Sequence, residues 1–307
     1  VATASADMTA RLWSTASGLP VREFLGHTDQ VLSVALSPDG TQLLTGSLDQ
    51  TAKLWDTATG RLRWTLTGHT GQVFSVAFSP DGKLALAGGD TTAWLWDTAT
   101  GQPVHTFNGH TRTVWGVAFS PDGRYIITTS LDSTLRLWDA KTFQEVSVWN
   151  QGSVDEIYGV TFSPDSKLVL ASLPSHSAQL WDVASGQPVR TFYGHTNTVY
   201  IVDFSPDGRY AVTGSQDRTA DIWSVADGTT VRTLSGHTHA VWGVAFSPDG
   251  RSVLTGSLDG TARLWDRDYR ELVTRICQQL LRDFSDGERS LVHLTDGAPA
   301  CPNVTRP

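Results

Sequence analysis

Cysteine is nearly absent from this chain of 307 residues, occurring only at Cys277 and Cys301. That rules out a disulfide-rich scaffold and a four-cysteine zinc site. Lysine is scarce, four residues against 19 arginines, and methionine occurs once. Surplus positive charge is missing too: 23 Lys and Arg oppose 31 Asp and Glu, for a net charge of -8. General polyanion binders carry the opposite balance, so nucleic acid is not an expected partner. No apolar run approaches the roughly 18 residues of a membrane span, and the first residues do not read as a secretory leader. The expected location is therefore the cytoplasm, with no membrane partner and with the two cysteines as free thiols rather than a pair. No phosphate-binding loop or dinucleotide fingerprint occurs among the 28 glycines, so no cofactor is expected.

Tryptophan is in excess, with 12 residues, and its placement is periodic. Trp followed by Asp or Ser occurs at Trp13, Trp55, Trp96, Trp138, Trp181, Trp223 and Trp265, in steps of 42, 41, 42, 43, 42 and 42 residues. Gly-His recurs at Gly26-His27, Gly68-His69, Gly109-His110, Gly194-His195 and Gly236-His237, and Gly152-Ser153 fills a sixth slot without the histidine. Ser-Pro-Asp-Gly begins at Ser37, Ser79, Ser120, Ser205 and Ser247, with Ser163-Pro-Asp-Ser166 as the variant. Three motifs in one order at one period define a repeat of about seven units.

Each unit reads as four short strands. In residues 31–66, Val31–Leu36 is β-prone and Ser37–Gly40 is a turn with Pro and Gly where turns favour them. Gln42–Gly46 and Thr51–Trp55 follow, and Thr57–Gly60 turns into a fourth strand, Arg61–Leu66. Turn signals every 8 to 12 residues mean an all-β meander. A lone sheet of this kind exposes two half-apolar faces, and radial stacking of sheets buries both.

The recurrent Gly-His, Ser-Pro-Asp-Gly, Ser-x-Asp-x-Thr and Trp-Asp elements resemble the WD-repeat β-propeller family, bacterial type, over residues 1–266. The resemblance implies an all-β, seven-bladed propeller of four-stranded antiparallel blades. It also implies a buried network in each blade, joining the loop His, a second-strand Ser or Thr, the turn Asp and the third-strand Trp. Four sets match: His27, Thr45, Asp49 and Trp55; His110, Thr128, Asp132 and Trp138; His195, Thr213, Asp217 and Trp223; His237, Thr255, Asp259 and Trp265. Their donors and acceptors can form one chain from indole to carboxylate. A hydroxyl, a His and an Asp also suggest a hydrolase, but this hydroxyl serves a tryptophan and no copy is special. Catalysis needs one preorganised site, so no catalytic residue is assigned. Each unit offers too few ligands for a metal. Of the six full repeats, the second, with Leu86 ten residues before Trp96, and the fourth, with Ala171, Ser175 and the turn Pro174-Ser175-His176, are expected to have broken networks.

In this family the residue after the first-strand Val points to the central channel mouth. Those positions are Leu32, Phe74, Trp115, Tyr158, Tyr200 and Trp242, five of them aromatic. The resemblance makes them the candidate partner-binding ring, since aromatics anchor peptides and hold cations. The ring could equally be a plug. Beside it the loops vary, and Asp155, Glu156, His176 and His239 are candidate loop contacts. The expectation is a mildly acidic aromatic pocket for a basic or apolar peptide.

The chain opens inside a repeat: residues 1–25 read as second, third and fourth strands, so one blade lacks its first strand. Six repeats follow, starting near 31, 73, 114, 157, 199 and 241. An alternative six-bladed ring would use Val21–Leu25 as an outer strand after Trp265. Residues 267–307 form a tail in which Asp268 and Glu271 read as a capping box for an amphipathic helix, about 268–284. The tail is neutral, and 17 of the 25 acids in residues 1–266 occupy motif slots, so the negative charge is largely the repeat itself. The tail resembles those closing propellers in large bacterial signalling proteins. That implies an upstream kinase, protease or nucleotide-switch ATPase in a longer chain. The expected function is a non-enzymatic scaffold or sensor binding a protein or peptide. The alternatives are a tether without specific ligand and, more remotely, an enzyme or metal-binding propeller.

Overall fold

The computed structural model describes residues 1–150, 156–173 and 175–267. The amphipathic helix expected at 268–284, Cys277, Cys301, Asp155 and Pro174 lie outside them. The described chain folds into seven antiparallel sheets in sequence order. Sheet two is the reference: Val31–Leu36, Gln42–Ser47, Ala52–Asp56 and Leu62–Leu66, each strand within about a residue of the bounds its turns suggest. Sheets three to six repeat it. Sheet one (Ala2–Ala4, Ala10–Trp13 and Pro20–Phe24) has no first strand, as expected.

Sheet seven (Val241–Phe246, Ser252–Ser257 and Ala262–Asp266) also has three strands among the described residues. Two sheets are thus incomplete where the sequence suggests one, because the described residues end at Arg267. The ring has seven blades rather than six: Pro20–Phe24 pairs with the third strand of sheet one, its sequence neighbour, and not with sheet seven. First strands start where expected in four repeats, but at Ser75 and Val160 in sheets three and five.

The sheets are held face to face. Along each second strand alternate residues point to opposite neighbours, as the pleat requires: Leu43 packs back against sheet one, and Leu44 forward against sheet three. Six apolar clusters result, one at each junction between consecutive sheets. A small residue at the end of the second strand makes room for the next sheet. A Cβ on Gly46 would lie 2.8 Å from Val73 Cγ1 and 2.9 Å from Val76 Cγ1.

The turn before the fourth strand of sheet four shows why its glycine is dispensable. Gly60 and Gly101 adopt left-handed φ of 75° and 70° at this position, and Phe143 adopts 60°. Its strain is offset by packing, because the Phe143 ring stacks on His105 of sheet three at 4.9 Å.

Candidate functional site

Four sheets carry the complete polar network. In sheet two, Trp55 Nε1 donates to Thr45 Oγ1 (2.9 Å), the Thr45 hydroxyl meets His27 Nε2 (2.7 Å) and His27 Nδ1 meets Asp49 Oδ2 (2.7 Å). One direction of donation satisfies every member: indole N–H to hydroxyl oxygen, hydroxyl to Nε2, Nδ1–H to carboxylate. The same contacts join His110, Thr128, Asp132 and Trp138 (2.8 to 3.0 Å). They recur for His195, Thr213, Asp217 and Trp223 (2.7 to 2.8 Å), and for His237, Thr255, Asp259 and Trp265 (2.7 to 2.8 Å). Burial pushes the Asp49 carboxyl up, but bonds from the Thr51 side chain, the Thr28 backbone and His27 outweigh it and hold the group at about 2. Burial lowers the affinity of His27 for a proton, so its imidazole is neutral. These are satisfied structural networks with no free nucleophile.

The two irregular sheets differ as expected, with one correction. In sheet three Leu86 is not the counterpart of Thr45. Leu86 pairs with Leu95 and packs forward against sheet four, whereas Ala87 pairs with Trp94 as Thr45 pairs with Lys53. The 41-residue step removes one residue from the turn, so counting back from Trp96 falls one short. With alanine there, both ring nitrogens of buried His69 lack hydrogen-bond partners, and Asp90 stands 3.5 Å from Nδ1. In sheet five Ala171 does occupy the threonine position, and Trp181 Nε1 is left without a partner.

The six ring residues come together. Phe74 and Trp115 stack at 4.2 Å between centroids, and contacts of 5.1, 5.4 and 5.2 Å continue the series through Tyr158, Tyr200 and Trp242. Leu32 lines the same cavity. Backbone geometry explains the aim of these side chains. Leu32, Trp115, Tyr200 and Trp242 are the extra residues of β-bulges, where the first-strand register shifts between Val31 and Ser33, Val114 and Gly116, Val199 and Ile201, and Val241 and Gly243. A bulge re-aims a side chain out of the pleat's alternation. The first strands then approach so closely that Gly159 N donates to Tyr200 O across the junction (3.0 Å). The enclosed space is about 90 Å³, well below the roughly 300–1,000 Å³ of a small-molecule pocket.

The neighbouring loops change the expected electrostatics. Glu156 accepts from Arg112 Nη2 (2.7 Å) and from Tyr158 Oη (2.9 Å), so its charge is already partnered and the mouth is not acidic at this point. Desolvation and Glu156 push the Tyr158 phenol well above its usual range, and the ring presents a neutral face. His176 and His239 are exposed in separate turns. The pairing of Arg112 with Glu156 was not visible in the sequence, because the partner lies in the next repeat. Among the described residues no group of three His, Cys, Asp or Glu side chains is placed to hold a metal ion, and no helix is long and apolar enough to cross a membrane. One acid does sit on a first strand. Asp203 accepts from Phe204 N (2.9 Å) and, across the junction to sheet seven, from Phe246 N (2.8 Å). Desolvation outweighs both bonds and pushes its carboxyl up to about 6.

Comparison with known proteins agrees with this architecture. The sequence profile of the WD40 family (WD domain, G-beta repeat) matches residues 18–56, 60–97, 101–139, 186–224 and 228–266. The stretch between the third and fourth matches holds the first three strands of sheet five, one of the two sheets with a broken network. Ribosome assembly protein 4 of Chaetomium thermophilum is 54% identical over 43 residues, 14% of this chain and 8% of that protein. Coronin-7 of Pongo abelii is 44% identical over 45 residues, 15% of this chain and 5% of that protein. Each likeness is one repeat long and covers less than a tenth of the relative. With five matched repeats over well more than half of its length, the chain belongs to the WD40 repeat family, whose propellers are generally non-enzymatic scaffolds for protein–protein interaction.

Proposed function

We propose that the aromatic ring at the channel mouth docks a protein segment through an apolar or aromatic side chain, and that docking regulates or localises an effector domain elsewhere in a longer chain. The effector is of the kinds found in bacterial cytoplasmic signalling: a kinase, a protease or a nucleotide-switch ATPase. The observation that carries this reading is the unbroken series of five aromatic rings from Phe74 to Trp242, three of them (Trp115, Tyr200 and Trp242) aimed by first-strand bulges. Trp242, the last of them, is 38% exposed and offers a wide apolar face to solvent. The Arg112–Glu156 pair favours an apolar anchor over a basic one, since a cationic side chain would compete with Arg112 for the carboxylate.

Mutual stacking of the rings also suits a plug that only fills the channel. Replacing Trp115, Tyr158 and Tyr200 together by Ala separates the two. A docking surface predicts that a pull-down from the cell of origin loses its partner while the melting temperature changes little. A plug predicts a fall in melting temperature with capture unchanged, which would overturn the proposal.

A further inference from the structure

The third-strand position two residues before the repeat's tryptophan holds Arg11, Lys53, Trp94, Arg136, Gln179 and Arg263 in six sheets, and Asp221 in sheet six. It lies opposite the network threonine: Asp221 pairs with Thr213 as Lys53 pairs with Thr45. Opposed residues share a face, so the acid stands against the imidazole of its own sheet, with Oδ2 3.6 Å from His195 Nε2. Asp221 is 5% exposed, and its Oδ1 has no hydrogen-bond partner among the described residues. His195 Nδ1 meets a second acid, Asp217, at 2.8 Å. Among the four complete networks, sheet six alone sets its imidazole between two carboxylates.

The charges around Asp221 leave it uncompensated. On the fourth strand of sheet five, Arg190 reaches Val225 O, and on the fourth strand of sheet six, Arg232 reaches Asp266 O. Arg218, in the turn beside Asp217, is exposed. The titratable groups that face Asp221 are thus His195 and Asp217. Burial pushes its carboxyl above the ordinary value, Asp217 adds to this, and the pull of His195 and of the Thr233 side chain does not cancel it. Sheet two has the opposite arrangement, where burial and then Lys53 work against a proton on His27.

We propose that His195 and Asp221 form a buried site for one proton, and that its occupancy sets the position of Tyr200 in the channel mouth. The proton comes from solvent, through the 7% of the Asp221 side chain that stays accessible. It belongs to the pair, as Asp221 O–H or as His195 Nε2–H facing Asp221 Oδ2, and either form leaves the pair with no net charge. When it departs, a carboxylate with an unpartnered oxygen remains beside Nε2, whose lone pair accepts from Thr213. A buried charge without donor or cation is costly. Water reaches it most directly by movement of residues 194–198, which carry His195 and lie between strands. Three hydrogen bonds tie that loop to the mouth. Thr196 N donates to Asp217 Oδ2 (3.0 Å), Gln216 N donates to Thr198 O (2.9 Å), and the Tyr200 phenol donates to Gln216 Oε1 (3.2 Å). Acid therefore fixes this side of the mouth and alkali loosens it. The effect on partner capture rests on the docking reading above, whereas the proton site does not.

The test follows the whole chain, labelled with ¹³C and ¹⁵N, by NMR as pH is raised from 4 to 8. The carboxyl carbon of Asp221 and the ring nitrogens of His195 should titrate in one shared step, above the ordinary 3.8 of an aspartate. The ring of His27 should show no matching step. Signals of Tyr200 and Gln216 should move with the same midpoint. Asp221→Asn has no proton to lose, so it should hold Tyr200 at its acid position and shrink that movement roughly tenfold or more. Asp221→Gln, which places the residue of sheet five there, should do the same and replaces the asparagine variant if that folds poorly. His239 is present in every variant, so a response that these substitutions remove is not its own. Neither readout needs a partner, so failure of the docking reading would show in the pull-down and not here. Titration of Asp221 at its ordinary value, or separately from His195, would overturn the proton site. Movement of Tyr200 that survives both substitutions would overturn its link to the mouth.

Discussion

Sheets two and three bury nearly the same residues to different effect. His27 and His69 are equally buried, each follows a glycine with left-handed φ of 145°, and each has an aspartate beyond the second strand. His27 uses both ring nitrogens, and His69 uses neither. The difference is one hydroxyl, Thr45 against Ala87, together with a turn one residue shorter. Yet sheet three keeps its shape, with Val73, Val76, Ala85, Ala87 and Trp96 in one apolar cluster with sheet two. Packing between sheets therefore carries the fold. The polar chain is a device that each blade can lose, provided the imidazole stays neutral, and burial ensures this for His69.

The largest expected effect tests that contrast directly. His27→Leu removes one partner each from Thr45 and Asp49 and leaves a buried carboxylate oxygen short of a donor. Orphaned buried groups cost about 1–3 kcal/mol each, so a loss of about 3 kcal/mol is expected. His69→Leu breaks no hydrogen bond through its ring and should be neutral or mildly stabilising. Denaturant unfolding of the two variants measures the difference. Equal costs would mean that the network contributes nothing beyond its volume.

Much of this was legible in the sequence because the repeat is printed several times over. The period, the turns and the four-residue offsets of the network each had several copies to agree. What escaped was whatever depends on a single copy or on two repeats at once. The offset of ten from Trp96 pointed to Leu86, and only strand pairing shows that a shortened turn moves Ala87 into the slot. Offsets assigned the aromatic ring through family likeness, but the bulges that aim it need the register. The Arg112–Glu156 pair joins residues 44 apart in sequence, so no motif within one unit could carry it.

Two smaller gains sharpen the same comparison. Ala87→Thr supplies the missing hydroxyl beside His69 and should raise stability by about 1 kcal/mol, the typical net value of a buried hydrogen bond. In sheet five the gain is smaller. Ala171→Thr offers an acceptor to the orphaned Trp181 Nε1, but Ser153 stands where the repeat has histidine, so the hydroxyl proton gains no imidazole. About 0.5 kcal/mol is expected. A loss in both variants would show that these sheets have repacked around alanine and no longer have room for the network.

The last contrast concerns acids and runs in opposite directions in two places. Asp49 and Asp90 are held near 2 by their hydrogen bonds, below the usual 3.8 of an aspartate. Their contribution to stability is present above the unfolded value and is lost only as pH falls toward about 2. Asp203 is raised from 3.8 to about 6 because its burial outweighs two backbone donors and no cation faces it among its assigned contacts. The folded state therefore binds its proton more tightly than the unfolded chain does. The sign follows: its contribution is fully present below pH 3.8 and is lost as pH rises through about 6. Four of the other first strands place Ala35, Ala77, Ala118 and Ala245 at this position, so Asp203→Ala restores the repeat's usual residue. The variant should gain on the parent protein as pH rises from 4 to 7, with the difference in melting temperature turning over near pH 6. A difference independent of pH would show that Asp203 stays ionised throughout, tied to Phe246 N strongly enough to act as one more pin between sheets six and seven.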